Sequence, residues 1–223
     1  MNALRAAIFD LDGTLVDSER IHERAMQDVW NKRCPGFVLP EGWTSLVRGM
    51  LIVDRATLLQ KRTGAAYDVQ TFAAEIEERF DVIHAREGLP AMPDADRVLT
   101  EGVAAGWMLA LASNGARGYV ESVLRERGWL AMFDAIVACD GECAPKPDPQ
   151  SYQEAMRQLG VSSNECIAIE DALTGMEAAH AAGMRVIAVT NDHVPAWVAR
   201  HIFSLKELTL KNKEMLSEAR TLI

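Results

Sequence analysis

No stretch of this 223-residue chain approaches the run of about 18 apolar residues that a membrane-spanning helix needs. It has no basic cluster either, and its formal net charge is −9. Both features argue against nucleic acid or an anionic membrane as the partner. An acidic chain can still bind an anionic substrate where a metal and local donors reverse the field in its pocket. Cysteine is sparse, limited to Cys34, Cys139, Cys143 and Cys166, and is expected as reduced thiols in a cytoplasmic protein. Cys139 and Cys143 stand four apart, but no second tight Cys or His pair completes a zinc site. His84, His180, His193 and His201 form no metal pattern. The opening MNALRAAIFD lacks the apolar stretch and small-residue cleavage site of a secretory signal. Internal repeats and low-complexity tracts are missing too.

Hydrophobic residues make up 49% of the chain and charged residues 25%, enough apolar material for a sizeable core. Residues 4–10 (LRAAIFD) read as a short buried strand. Helical periodicity follows from Asp17 to Lys32, and again over 43–62 and 69–87, with Pro35, Gly36, Pro40, Gly64 and Asp68 as breaks. Beyond GLPAMP the rhythm changes. Helices fit 94–105, 116–127, 150–159 and 172–182, and strands fit 107–112, 133–138, 166–169 and 185–189. Residues 204–223 fit a peripheral strand or turn and a last helix. Strands that alternate with helices imply a parallel sheet covered on both faces. The expected architecture is α/β: a doubly wound, Rossmann-like core from 1–16 and 91–223, with an all-helical insert at 17–90.

Open parallel sheets bind ligands at the carboxyl ends of their strands, and polar residues gather there. The first strand ends in Asp10-Leu11-Asp12-Gly13-Thr14, whose alternation puts two carboxylates on one side. Carboxylates held close repel one another and call for a proton or a hard divalent cation. The second strand ends in Ser113-Asn114-Gly115, where a hydroxyl and backbone N–H groups at a helix start suit a phosphate. Lys146 follows the third strand between Pro145 and Pro147, which stiffen the backbone around it. Glu170-Asp171 closes the fourth strand. Each group alone has a plain structural explanation: an acidic turn, a helix cap, a loop lysine, acids at a helix N-terminus. All four at successive strand ends of one sheet are much harder to explain that way.

In order and spacing, DLDGTLVDS (10–18), ASNG (112–115), KPDP (146–149) and EDALTGMEAA (170–179) resemble the haloacid dehalogenase superfamily of phosphohydrolases. The branch with a helical cap inserted after the first strand, which includes phosphoglycolate phosphatases and β-phosphoglucomutase, is the nearest likeness. The resemblance implies a Mg²⁺-dependent phosphatase of small phosphorylated metabolites working through an aspartyl-phosphate. It makes Asp10 the nucleophile and Asp12 the general acid and base. It gives Ser113, Asn114 and Lys146 the transferring phosphoryl group, and Glu170 and Asp171 the magnesium, shared with Asp10 and the Asp12 carbonyl. An aspartate at position 12 sets the chain apart from the true dehalogenases and the phosphonate-cleaving members. The insert is expected to act as a mobile lid, with His22, Arg48 and Arg55 as candidate substrate-binding residues. A sugar-phosphate mutase is the alternative reading. However, Gly49 is followed by Met50, Leu51 and Ile52, and the next arginine is Arg55, which departs from the mutase pattern. A non-catalytic regulator on the same fold is a third reading, and a monomer is the default expectation.

Overall fold

The computed structural model describes residues 3–139, 143–211, 213 and 216, apart from the side chain of Ser45. The chain folds as two compact units, one from Met1–Val16 with Ala91–Ile223 and one from Asp17–Pro90. No helix among the described residues is long and apolar enough to cross a membrane.

The first unit is built on strands β1 (Ala6–Phe9), β2 (Met108–Ser113), β3 (Ala135–Ala138), β4 (Cys166–Glu170), β5 (Arg185–Val189) and β6 (Arg200–Ile202). They form one sheet in the order β3-β2-β1-β4-β5-β6, and every neighbouring pair is parallel. Strand β1 is central: Ala6 faces Met108 on one side and Cys166 on the other, and Phe9 faces Leu111 and Ile169. Strand order reverses direction at β1, so a crevice opens at its carboxyl end, where such sheets bind ligands. Helices α5 (Ala95–Ala104), α6 (Arg117–Glu126), α7 (Gln150–Leu159) and α8 (Leu173–Ala181) connect the strands. One face of the sheet is alanine-rich (Ala6, Ala110, Ala112, Ala135, Ala168). Tyr152, Ala155 and Met156 of α7 and Met176 of α8 pack into the same buried cluster. Small side chains let a helix backbone approach closely, and that proximity brings the start of α7 near the strand ends.

The second unit consists of α1 (Glu19–Arg33), α2 (Trp43–Val47), α3 (Ile52–Thr63) and α4 (Val69–Glu87). Trp30 of α1 meets Phe72 of α4 edge-on at 5.6 Å, and Phe37 and Tyr67 complete an aromatic cluster. The single helical stretch expected over 43–62 is two helices here. Arg48 leaves helical geometry, and Gly49 has φ of 72°, a conformation that favours glycine and interrupts the ladder.

Two further differences from the sequence reading concern the sheet unit. Strand β6 went unexpected: its three residues include Arg and His and carry no alternating apolar signal. Leu205–Glu207 is a 3₁₀ turn, and the last helix expected beyond it falls largely outside the described residues.

Candidate active site

Four strand ends and the loops that follow them converge on one buried cluster. Lys146 reaches it from the loop before α7. Its ammonium lies 2.6 Å from Asp10 Oδ1 and 2.6 Å from Glu170 Oε1. Glu170 Oε1 also accepts a hydrogen bond from the Tyr152 hydroxyl at 2.6 Å, and the Lys146 ammonium sits 5.0 Å from the centre of the Tyr152 ring. Asp171 Oδ1 accepts from the Thr14 hydroxyl at 3.3 Å. Asp10, Lys146, Glu170 and Asp171 are all buried, as is Ser113.

Two glycines make room for the acids. A Cβ on Gly13 would stand 2.2 Å from Asp171 Oδ2, and one on Gly175 would stand 1.9 Å from Glu170 Oε1. Gly13 also has φ of 86°, so it both turns the chain after the first acidic pair and leaves space for the second.

The electrostatics follow from this crowding. Burial, then the neighbouring Glu170 carboxylate, push Asp10 up to about 8, with Asp12 adding to the push while Lys146 opposes it. Burial alone would lower the Lys146 pKa, yet Asp10 and Glu170 outweigh it and hold the amine above its ordinary value. Burial, followed by Glu170, raises Tyr152 well above the usual phenol value, so its hydroxyl stays a donor. Lys146 is therefore charged, and the upward pressure on Asp10 comes first from burial and then from the neighbouring carboxylates.

The crowding of acids provides a test of fit for a metal. Asp10, Glu170 and Asp171 each offer an oxygen, and these oxygens all lie within 4.8 Å of one another. With all three carboxylates ionised against one ammonium, the buried site would carry two negative charges, the charge a hard divalent cation would balance. The donor set is all oxygen, so these residues fit such an ion.

The remaining sequence candidates fall into two places. Ser113 ends β2, where its Oγ accepts from the Gly115 N–H at 3.0 Å. Asn114 does something the sequence does not reveal: its side-chain oxygen accepts the Lys146 backbone N–H at 2.8 Å and so fixes the lysine loop. Asp12 accepts from the Tyr119 hydroxyl at 2.6 Å. His22, Arg48 and Arg55 belong to the helical unit. Both terminal nitrogens of Arg55 donate to Glu19 at 2.7 Å and its Nε donates to Met50 O at 3.0 Å, in a buried pair. His22 stacks on Phe80 at 4.1 Å. Burial, then Arg55, depress its pKa to about 3, so the ring is neutral.

Tyr119 and Tyr152 were missed by the sequence reading. Each is the third residue of a helix that follows a motif loop, and together they are two of only three tyrosines in the chain. That repeated placement is the signal that was available. The cysteine reading also needs correction: Cys139 and Cys143 are joined in a disulfide, while Cys34 and Cys166 are free. Their Cα atoms lie 5.2 Å apart, close enough for the two sulfurs to meet, which the spacing alone did not distinguish from two thiols.

Comparison with known proteins agrees with this geometry. Residues 7–189 match the family model of haloacid dehalogenase-like hydrolases. The chain is 30% identical over 218 residues to validoxylamine A 7'-phosphate phosphatase of Streptomyces hygroscopicus subsp. limoneus, covering 92% of this chain and 94% of that protein. It is 35% identical over 196 residues to the chloroplastic protein SUPPRESSOR OF QUENCHING 1 of Arabidopsis thaliana, covering 82% of this chain but only 18% of that much longer protein. Among solved structures, CbbY from Rhodobacter sphaeroides in complex with phosphate superposes with a TM-score of 0.78 at 28% identity, covering 92% of this chain and 96% of that one. With the acidic cluster, its lysine and the match across the sheet unit together, the chain belongs to the haloacid dehalogenase-like hydrolase family.

Proposed function

We propose that this enzyme is a Mg²⁺-dependent phosphatase that hydrolyses small phosphate monoesters through a phosphorylated Asp10. The observation that carries the reading is Lys146, buried and bonded at 2.6 Å to both Asp10 and Glu170 within the acidic cluster. A fixed ammonium beside a carboxylate at a strand end suits the equatorial oxygens of a transferring phosphoryl group. An Asp10 oxygen attacks phosphorus, and the bond from phosphorus to the leaving oxygen breaks as Asp12 gives that oxygen its proton. The Asp12 carboxylate then takes a proton from water, which attacks phosphorus and releases Asp10 and inorganic phosphate. The Ser113 hydroxyl and the N–H groups that follow it hold the non-bridging oxygens. Mg²⁺, held by Asp10, Glu170, Asp171 and the Asp12 carbonyl, would supply charge neutralisation.

Similarity to a validoxylamine A 7'-phosphate phosphatase and to CbbY, also solved with xylulose-1,5-bisphosphate, supports phosphorylated, sugar-like metabolites as the substrate class. Residues 17–90 are proposed as the cap that reads the leaving group, with His22, Arg48 and Arg55 as its candidate substrate-binding residues. The test is phosphate release over a panel of phosphorylated metabolites with Mg²⁺, for the wild type and Asp10→Asn. The carboxamide is nearly isosteric but a poor nucleophile, so the variant should fold and not turn over. Phosphate release retained by folded Asp10→Asn protein would refute the mechanism.

A further inference from the structure

Tyr119 lies at the third position of α6, one residue before the buried Val120 and four before Val123, which fix that helix against the sheet. Its hydroxyl donates to Asp12 Oδ1 at 2.6 Å, bridging 107 residues of sequence. The ring reaches across the turn after β2 because Gly115 has no side chain: a Cβ there would stand 3.0 Å from Tyr119 Cδ1 and 3.2 Å from Ser113 Oγ.

We propose that Tyr119 is a positioning residue that holds the Asp12 carboxyl in the orientation from which it delivers its proton. The proposal rests on the reading of Asp12 as the general acid and base. A short hydroxyl bond to one carboxyl oxygen fixes the plane of the group and assigns the travelling proton to the other, Oδ2. That proton passes to the leaving oxygen as the phosphorus–oxygen bond breaks, while Tyr119 keeps its own throughout. A carboxyl free to rotate would spend less time at that angle, and proton transfer is sensitive to misplacement of its donor. Gly115 belongs to the same device, since it lets one turn carry both the phosphate-facing Ser113 and the ring that aims Asp12.

The value of kcat/KM covers steps only up to loss of the leaving group, and a good leaving group needs little help from an acid. Tyr119→Phe should therefore lower kcat/KM for phenyl phosphate about tenfold, and for 4-nitrophenyl phosphate less than about threefold, with KM nearly unchanged. The phenylalanine ring keeps its place against Gly115, and the melting temperature is recorded to confirm an intact fold. Asp12→Asn, measured on the same pair of esters, separates the two claims. If Asp12→Asn shows a steep leaving-group dependence and Tyr119→Phe an equal loss on both esters or no loss, the positioning role is overturned and the mechanism stands. If Asp12→Asn itself shows no leaving-group dependence, the acid–base reading fails, and the positioning role with it.

Discussion

Gly175→Ala puts a methyl group where the Glu170 carboxylate now lies. The new Cβ would stand 1.9 Å from Oε1, 2.1 Å from Cδ and 2.3 Å from Oε2, all well inside contact distance. Glu170 is only 1% exposed, so its carboxylate has no solvent to retreat into and must abandon the Lys146 and Tyr152 bonds. Overpacking costs about 1–3 kcal/mol. A lost bond to a charged partner costs about 1.5–3 kcal/mol. Against these, alanine in a helix gains about 1 kcal/mol over glycine. Counting a single such lost bond, the expected net destabilisation is about 1.5–5 kcal/mol, read as a lower urea midpoint at unchanged slope. Divalent-metal affinity should collapse as well, measurable by calorimetry without turnover. Gly118→Ala is the internal comparison: it is also helical, a Cβ there meets nothing within 4 Å, and it should stabilise by about 0.5–1 kcal/mol. If the two variants had the same midpoint and the same phosphate release, Glu170 would not be where it is described.

Chelation should abolish phosphate release, Mg²⁺ should restore it, and Ca²⁺ should inhibit, because Ca²⁺ takes more ligands at longer distances; full activity in excess chelator would contradict this. Asp10, raised to about 8 without metal, binds more protons folded than unfolded. The metal-free protein should therefore lose stability as pH rises from about 4 to about 8, and the thermal shift on adding Mg²⁺ should grow over the same interval. His22, depressed to about 3, has the opposite sign. Its contribution is complete above its ordinary value of 6.5 and is lost as pH falls toward 3, so His22→Phe should flatten the acid limb of the stability curve. Opening the Cys139–Cys143 bridge with dithiothreitol, or by Cys143→Ser, should cost at most about 2 kcal/mol in urea unfolding, because so short a ring removes little chain entropy.

Sequence patterns revealed the sheet class because buried parallel strands such as AAIF are continuous apolar runs between helical stretches. The acids, Ser113 and Lys146 were legible because strand ends were legible, and the carboxyl ends of a parallel sheet all lie on one edge. Tertiary partnership was not legible. Tyr119 and Asp12 are 107 residues apart, and no local pattern says which aromatic will reach which carboxylate. Asn114 reads as a helix cap or phosphate ligand until its oxygen is seen on the Lys146 backbone. Gly49 sits within an amphipathic stretch that carries on past it, so periodicity alone joined two helices that its backbone separates.

The central place of β1 has a consequence for how the protein is made. Both neighbours of this strand are distant in sequence, the nearer beginning at Met108 and the farther at Cys166. On a ribosome, the first strand emerges long before either partner exists, and an apolar segment must wait unpaired while about half of the chain is synthesised. Closing a loop of roughly 100 residues costs about 4 kcal/mol in chain entropy before any pairing repays it. Asp10 then meets Glu170 and Asp171 only after the fourth strand has docked, so completion of the acidic cluster belongs to a late stage of assembly. A nascent or truncated chain ending before residue 166 would carry Asp10 without Glu170 or Asp171, and a chaperone holding that early strand would be holding the segment that leads into the acidic cluster as well.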